Sequence, residues 1–412
     1  MASTTVTQRA TKAKPAWLLG PALVAGVAYL DPGNVAVNMS AGAQFGYLLV
    51  WVLVAANVAA WLVQYLSAKL GLATHASLAE LLGRRISNRA GRILYGLQAQ
   101  FVAIATDLAE VIGGAVALWI MFDIPLVVGA IITGVVSTVL LLIQSRRGAK
   151  TFEFVIIGLV LVIAVGFCWS LWLAPPAAGD VLGGMVPRFE GADSVLLAAS
   201  ILGATVMPHA IYAHSSLARD RFGVGTKKSL RTLLRATRVD VTIALTIAGS
   251  VNLAMLLVAA TVLPGVEGTD TLDGAHAALE QALGTTAAWM FAIGLLASGI
   301  ASTAVGAYAG SDIMGGLLNR GMRLLTRRLI TIIPAIIVLA IGVDPTQALV
   351  WSQVILSFGI PFALVPLVWL TARRSVMGEA VNAWWTTALA WIITAAIIVL
   401  NIGLIVLQFG MQ

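Results

Sequence analysis

Apolar runs of about twenty residues recur along the whole chain, separated by short polar or charged connections. That is the length an α-helix needs to cross a hydrocarbon core of about 30 Å. Only helices and closed barrels satisfy their backbone polar groups in lipid, and barrel strands are shorter and alternate in polarity. Composition agrees: 59% of the 412 residues are hydrophobic and 10% charged, against about 25% charged in a soluble domain. The mean hydropathy is +0.95. The chain reads as an all-α integral membrane protein with eleven transmembrane helices. They are expected near 17–43, 46–70, 94–121, 125–144, 152–174, 194–218, 239–263, 285–311, 327–343, 347–371 and 384–408.

A net charge of +7 raises the question of nucleic acid, but the placement of the charge answers it. With the N-terminus in the cytoplasm, the alternation of spans leaves Arg188 as the one basic residue outside, among 25 Lys and Arg. The external connections are acidic, as in "GVEGTDTLDGAHAALEQ". This is the positive-inside bias, so the charge is topological and no nucleic acid is implied. It puts the N-terminus inside and the C-terminus outside. The polar residues 1–16 are expected to be a disordered cytoplasmic tail. A cleavable signal peptide is disfavoured, because ten more spans follow and Asp31 interrupts the apolar core. The single cysteine, Cys168, supplies neither a disulfide nor a thiolate site.

No linker divides residues 17–412, which read as one transmembrane domain. The basic segment "KKSLRTLLRATR" before span seven suits either a short amphipathic helix on the inner leaflet or a solvated loop. Two spans are interrupted at mid-depth. Span one holds "DPGN", Asp31 to Asn34, and span six holds "MPH", Met207 to His209. Five spans separate the two, and an odd repeat inverts the second copy. Paired interruptions in corresponding positions of two halves point to a transporter's midplane site. The repeats would be about 17–174 and 194–371, with 384–408 as an added helix.

An aspartate at a helix centre costs about 2.5–3.5 kcal/mol on insertion scales, so Asp31 must face protein or water. Pro32 removes a donor and Gly33 permits non-helical dihedrals, which frees the Ala28 carbonyl. Asn34 adds an amide oxygen. In the second break Pro208 frees the Ala204 carbonyl, Met207 brings a thioether and His209 an imidazole. The oxygens suit a hard divalent cation, whereas sulfur does not suit Mg²⁺ or Ca²⁺. A soft donor tilts the set toward transition metals.

At these residues the chain closely resembles the Nramp family of proton-coupled divalent metal transporters. "DPGN" and "MPH" look like that family's two signatures, and the likeness continues through "TDLAEVIGGA", "NLAML", "RRLIT" and "SQVILSFGIPFALVPL". The resemblance implies a LeuT-type five-plus-five inverted repeat with discontinuous helices one and six. It implies metal ligands at Asp31, Asn34, Met207 and the carbonyls of Ala28 and Ala204. It further implies a proton route through Asp31, His209, Asp107 and Glu110 toward Arg327 and Arg328. The residues support part of this independently: Asp107 and Glu110 are three apart on one helix face, inside a span where carboxylates are costly. His214 is a second candidate relay, while His75 and His276 fall near span ends or in a loop. The chain departs from the pattern at Gly359, where many relatives have Gln, which leaves water or Asn34 to serve instead. Span eight also lacks the polar pair that many relatives carry, and has Asp312 near its inner end. Related magnesium transporters lack the methionine, so Met207 argues for transition metal.

The expected function is secondary-active import of Mn²⁺, of Fe²⁺ and of similar ions such as Cd²⁺, accompanied by H⁺, by alternating access. The expected setting is a bacterial inner membrane, with a monomer sufficient for transport, lipid as surroundings and no cofactor. A metal-permeable channel would need a continuous pore. An intramembrane zinc enzyme would show a His-Glu-x-x-His helix, which this sequence does not contain. A sodium-coupled amino-acid symporter of the same fold has no use for a soft ligand.

Overall fold

The computed structural model describes residues 20–147, 149–222, 229–269, 271–318 and 324–410. Every regular element among them is helical. The first span is broken: α1 (Pro21–Gly26) tightens into a 3-10 turn (Val27–Leu30), the chain extends at Asp31, and α2 (Pro32–Phe45) begins. Then come α3 (Val50–Thr74), the short α4 (Leu78–Arg85), α5 (Arg89–Phe122), α6 (Leu126–Arg147) and α7 (Ala149–Leu173). After a one-and-a-half-turn helix, α8 (Ala178–Gly183), the second broken span runs as α9 (Gly191–Thr205) and α10 (Pro208–Arg221). The rest is α11 (Leu230–Val262), α12 (Leu272–Leu283), α13 (Thr285–Leu318), α14 (Leu324–Ala340), α15 (Pro345–Thr371), α16 (Arg374–Met377) and α17 (Trp384–Gly410).

Local chemistry sets the boundaries. Proline opens α1, α2, α10 and α15, a position where its missing N–H would have no intrahelical partner. Ser77 and Glu80 form a reciprocal capping box on α4. Gly46, at φ 55°, ends α2 in the left-handed region, so residues 46–49 form a turn and the second span starts later than hydropathy alone places it.

Hydropathy also misplaces the start of span seven. The basic segment is not a separate surface helix from Leu230 onward: Leu230 to Arg238 are the first turns of α11, entered through Ser229, whose hydroxyl accepts from the Thr232 N–H. No glycine or proline separates those turns from the apolar run, so the helix continues through them.

Among the described residues, eight helices are long and apolar enough to cross a membrane, and three shorter apolar segments accompany them, Pro21–Leu30, Leu126–Val139 and Ile330–Ala340. The centre of the bundle holds α5, α13 and the two broken spans. There α1 packs on α10, α2 on α9, and α13 on α5. Small residues allow the close approaches: a Cβ on Gly299 of α13 would stand 2.9 Å from the Gly114 nitrogen of α5. Such small-residue contacts are how membrane helices gain packing energy when lipid is as apolar as the side chains.

Candidate metal-binding site

Asp31 adopts an extended conformation (φ −74°, ψ 164°) and caps α2. One carboxylate oxygen accepts from the Asn34 N–H at 2.7 Å and from Asn34 Nδ2 at 2.8 Å. The same Nδ2 donates to the Ala204 carbonyl at 2.9 Å. A single amide therefore ties the first break to the second. Asp31 and Asn34 are fully buried, and Asn34 Oδ1 has no hydrogen-bond partner among the described residues.

The second break follows the same logic. α9 stops at Thr205, Val206 leaves the helical region, and Met207 is extended (φ −64°, ψ 123°) before Pro208 restarts the helix. Met207 is completely buried and lies three residues past the Ala204 carbonyl that meets Asn34. Ala28 lies inside the 3-10 turn and is buried. Ala28 and Ala204 thus stand at the C-terminal ends of half-helices, where carbonyl dipoles favour a cation.

A residue that sequence reasoning passed over completes the cluster. Gln353 Nε2 lies 3.4 Å from the second Asp31 oxygen and 3.2 Å from Ser352 Oγ. Its Oε1 is buried with no partner among the described residues. Both breaks make room for it. A Cβ on Gly33 would fall 1.8 Å from Gln353 Nε2, and one on Gly203 would fall 1.9 Å from the Gln353 carbonyl oxygen. Gly359 has no space for a longer side chain, since its Cβ would already be 2.7 Å from Val102 Cγ2. The amide beside the carboxylate comes instead from Gln353, more than a turn earlier on α15.

The unwound backbone is held by side chains from other helices. The Tyr29 carbonyl accepts from Asn252 Nδ2 at 2.7 Å, and Asn252 Oδ1 accepts from Asn38 Nδ2 at 3.1 Å. Asn252 of α11 thereby clamps both sides of the first break. The Leu30 carbonyl accepts from the Ser298 hydroxyl of α13. Asp240 of α11 takes the Gly20 and Ala22 N–H groups at the start of α1.

The candidate relay residues fall into two sets. Asp107 and Glu110 of α5 converge on one point, because a Cβ on Gly306 would be 2.9 Å from Glu110 Oε1 and 3.2 Å from Asp107 Oδ1. His209, one residue past Pro208, has its Nδ1 3.2 Å from the Thr106 hydroxyl, next to Asp107. His214 points elsewhere: its Nδ1 lies 2.8 Å from Gln64 Oε1, and Gln64 Nε2 donates to the Tyr29 hydroxyl. The side chains of Arg327 and Arg328 lie outside the described residues. His75 is the left-handed residue that ends α3, and His276 packs on Phe291 from α12. Neither joins the cluster. Asp312 is 3.6 Å from Arg219 in an ion-paired group with Glu80.

Chemically, the centre offers one carboxylate, two amide oxygens without partners among the described residues, carbonyls from two helix ends and, three residues past one of them, a buried thioether. Among the described residues, no group of three His, Cys, Asp or Glu side chains could hold a metal. A cation held there would have to find donors other than such a cluster beside the Asp31 carboxylate.

The model of the family described as "Natural resistance-associated macrophage protein-like" (Nramp) matches residues 22–407. A Mycobacterium tuberculosis protein named divalent metal cation transporter MntH is 60% identical over 376 residues, which is 90% of this chain and 87% of the relative. A crystal structure of the Eremococcus coleocola manganese transporter, in complex with an aromatic bis-isothiourea substituted compound, superimposes with a TM-score of 0.84 at 29% identity, covering 96% of this chain and 87% of that one. The fold is shared more widely. MhsT in complex with L-phenylalanine aligns with a TM-score of 0.60 at 13% identity, covering 96% of this chain and 98% of that one.

Proposed function

The chain belongs to the Nramp family, and on that premise we propose that it carries divalent transition-metal ions, Mn²⁺ and Fe²⁺ first among them, into a bacterial cell together with protons. The observation that carries this reading is the Asn34 amide, bonded at once to Asp31 and to the Ala204 carbonyl, with its own oxygen left without a partner among the described residues. Two unwound helix centres meet there, and the orphan oxygens beside a buried carboxylate suit an arriving cation. Ligation falls to Asp31, Asn34, Met207 and the Ala28 and Ala204 carbonyls, with Gln353 against the carboxylate. Met207 disfavours Mg²⁺ and Ca²⁺, which take oxygen donors only.

The proton leaves through Asp107 and Glu110, with His209 and Thr106 between them and the break; Arg327 and Arg328 continue the route and His214 is a second branch. Asp31 and Asn34 are sealed from solvent, which supports a carrier that opens to one side at a time over a continuous pore. In this reading the three shorter apolar segments, with Pro21–Leu30 taken together with α2, are counted as crossings beside the eight long spans, for eleven in all. Residues 17–412 then act as one transporter domain in the inner membrane, with the N-terminus inside, the C-terminus outside and a monomer sufficient. The test is uptake of Mn²⁺, Fe²⁺, Cd²⁺, Ca²⁺ and Mg²⁺ into proteoliposomes with internal pH recorded simultaneously. Saturable transition-metal uptake with acidification supports the reading. Equal uptake of Mg²⁺, or metal entry with no pH change, refutes its selectivity or its coupling.

A further inference from the structure

A groove of about 720 Å³ opens on the side of the bundle between α3, the start of α11 and the start of α17. Its walls are apolar, with Leu62 from α3 facing Leu389 and Ile393 from α17, and with Trp61 and Tyr65 stacked at 6.0 Å. One end is different. Lys69 and Arg238 line the same groove there, and no Asp or Glu does. Lys69 is only 8% exposed; its Nζ donates to Asn382 Oδ1 at 2.8 Å. With that oxygen engaged, the buried Asn382 Nδ2 has no acceptor among the described residues. Arg238 lies over the Tyr65 ring at 5.3 Å. Among the described residues neither cation forms a salt bridge.

Burying an ammonium without a counter-charge is costly. Here two cations share the mouth of an apolar slot, with the amide that holds Lys69 buried behind them, at the end of the bundle that the basic-residue bias assigns to the cytoplasm. Donors are in excess, acceptors are lacking, and the space beyond is shaped for a hydrocarbon chain. We propose that this groove is a binding site for an anionic glycerophospholipid of the membrane. Its phosphate sits against Lys69 and Arg238 and an acyl chain lies along Leu62, Leu389 and Ile393. A zwitterionic lipid gains less, because no carboxylate lines the groove to receive a choline or ethanolamine group. The bound lipid bridges α17, which lies outside the inverted repeats, to α3 and α11.

The test is native mass spectrometry of the full chain, given equimolar phosphatidylglycerol and phosphatidylcholine with identical acyl chains. Two basic side chains at a headgroup make phosphatidylglycerol preferred by at least about tenfold. In the double variant Lys69→Gln/Arg238→Gln the preference falls to about twofold or less. The control Arg231→Gln/Arg235→Gln, which removes two exposed arginines of α11 away from the groove, keeps it. Equal retention of both lipids by the native protein overturns the proposal, as does a preference unchanged in the first variant or lost equally in the control. If the double variant does not fold, the exposed substitution Arg238→Gln and the native competition decide the matter.

Discussion

Gly113→Ala should disable the site without touching any proposed ligand. Gly113 of α5 faces the first break, and a Cβ built on it would lie 1.9 Å from Pro32 Cβ and 2.3 Å from Pro32 Cγ. Carbon atoms in contact stand about 3.5–4.0 Å apart, so the two groups must separate by about 2 Å. A proline ring cannot swing aside, because its side chain is closed onto the backbone. The strain falls on the start of α2, which carries Asp31 and Asn34. Functional groups tolerate about 0.5 Å of displacement, and overpacking of this kind costs about 1–3 kcal/mol. Such a loss, taken from metal binding, weakens affinity by about fivefold to a hundredfold. The assay is Mn²⁺ titration by calorimetry together with uptake in proteoliposomes, with Gly158→Ala as the control. A Cβ on Gly158 meets nothing within 4 Å, so that variant should behave as native. Native affinity and uptake in Gly113→Ala would refute the claim that α5 fixes the position of the break.

Other outcomes follow from the same geometry. Met207→Ala should retain part of the transition-metal uptake and lose exclusion of Ca²⁺ and Mg²⁺; unchanged selectivity in competition uptake would count against the thioether. Glu110→Gln should reduce metal-driven proton entry more than metal binding, so internal-pH recordings at native level would remove it from the relay. Asn252→Ala should leave the buried Tyr29 carbonyl without its donor and cost about 1–3 kcal/mol, seen as a lower unfolding temperature in detergent; an unchanged temperature would mean that the clamp contributes little.

Much of this was legible in the sequence, for identifiable reasons. Hydropathy marks lipid-buried helices because each must present about twenty apolar residues, and α5, α13 and α15 emerge close to where it places them. The breaks were legible because Asp31 and Pro208 conflict with their surroundings. Gln353, Asn252 and Ser298 were not seen as parts of the site: a lone polar residue on an apolar helix carries no local sign of its partner, and here each partner lies on a distant segment. The same holds for Gly113 and Gly203, whose importance comes from what approaches them; Gly33 is legible as part of the break, but it lies inside α2, and its small size serves the approach of Gln353 and not a non-helical turn. Helix ends were the least legible, since hydropathy reports the lipid core while caps such as Ser229 determine where α11 starts.

Two broken helices holding one divalent ion with both oxygen and sulfur would leave a spectroscopic signature. X-ray absorption at the cadmium edge, on protein loaded with one equivalent of Cd²⁺, tests it directly when repeated on Met207→Ala and Asp31→Asn. The expected result is an oxygen shell with one sulfur scatterer, the sulfur vanishing in Met207→Ala and stoichiometric loading vanishing in Asp31→Asn. A purely oxygen shell in the native protein, or a sulfur signal that survives Met207→Ala, would rule out Met207 as a ligand.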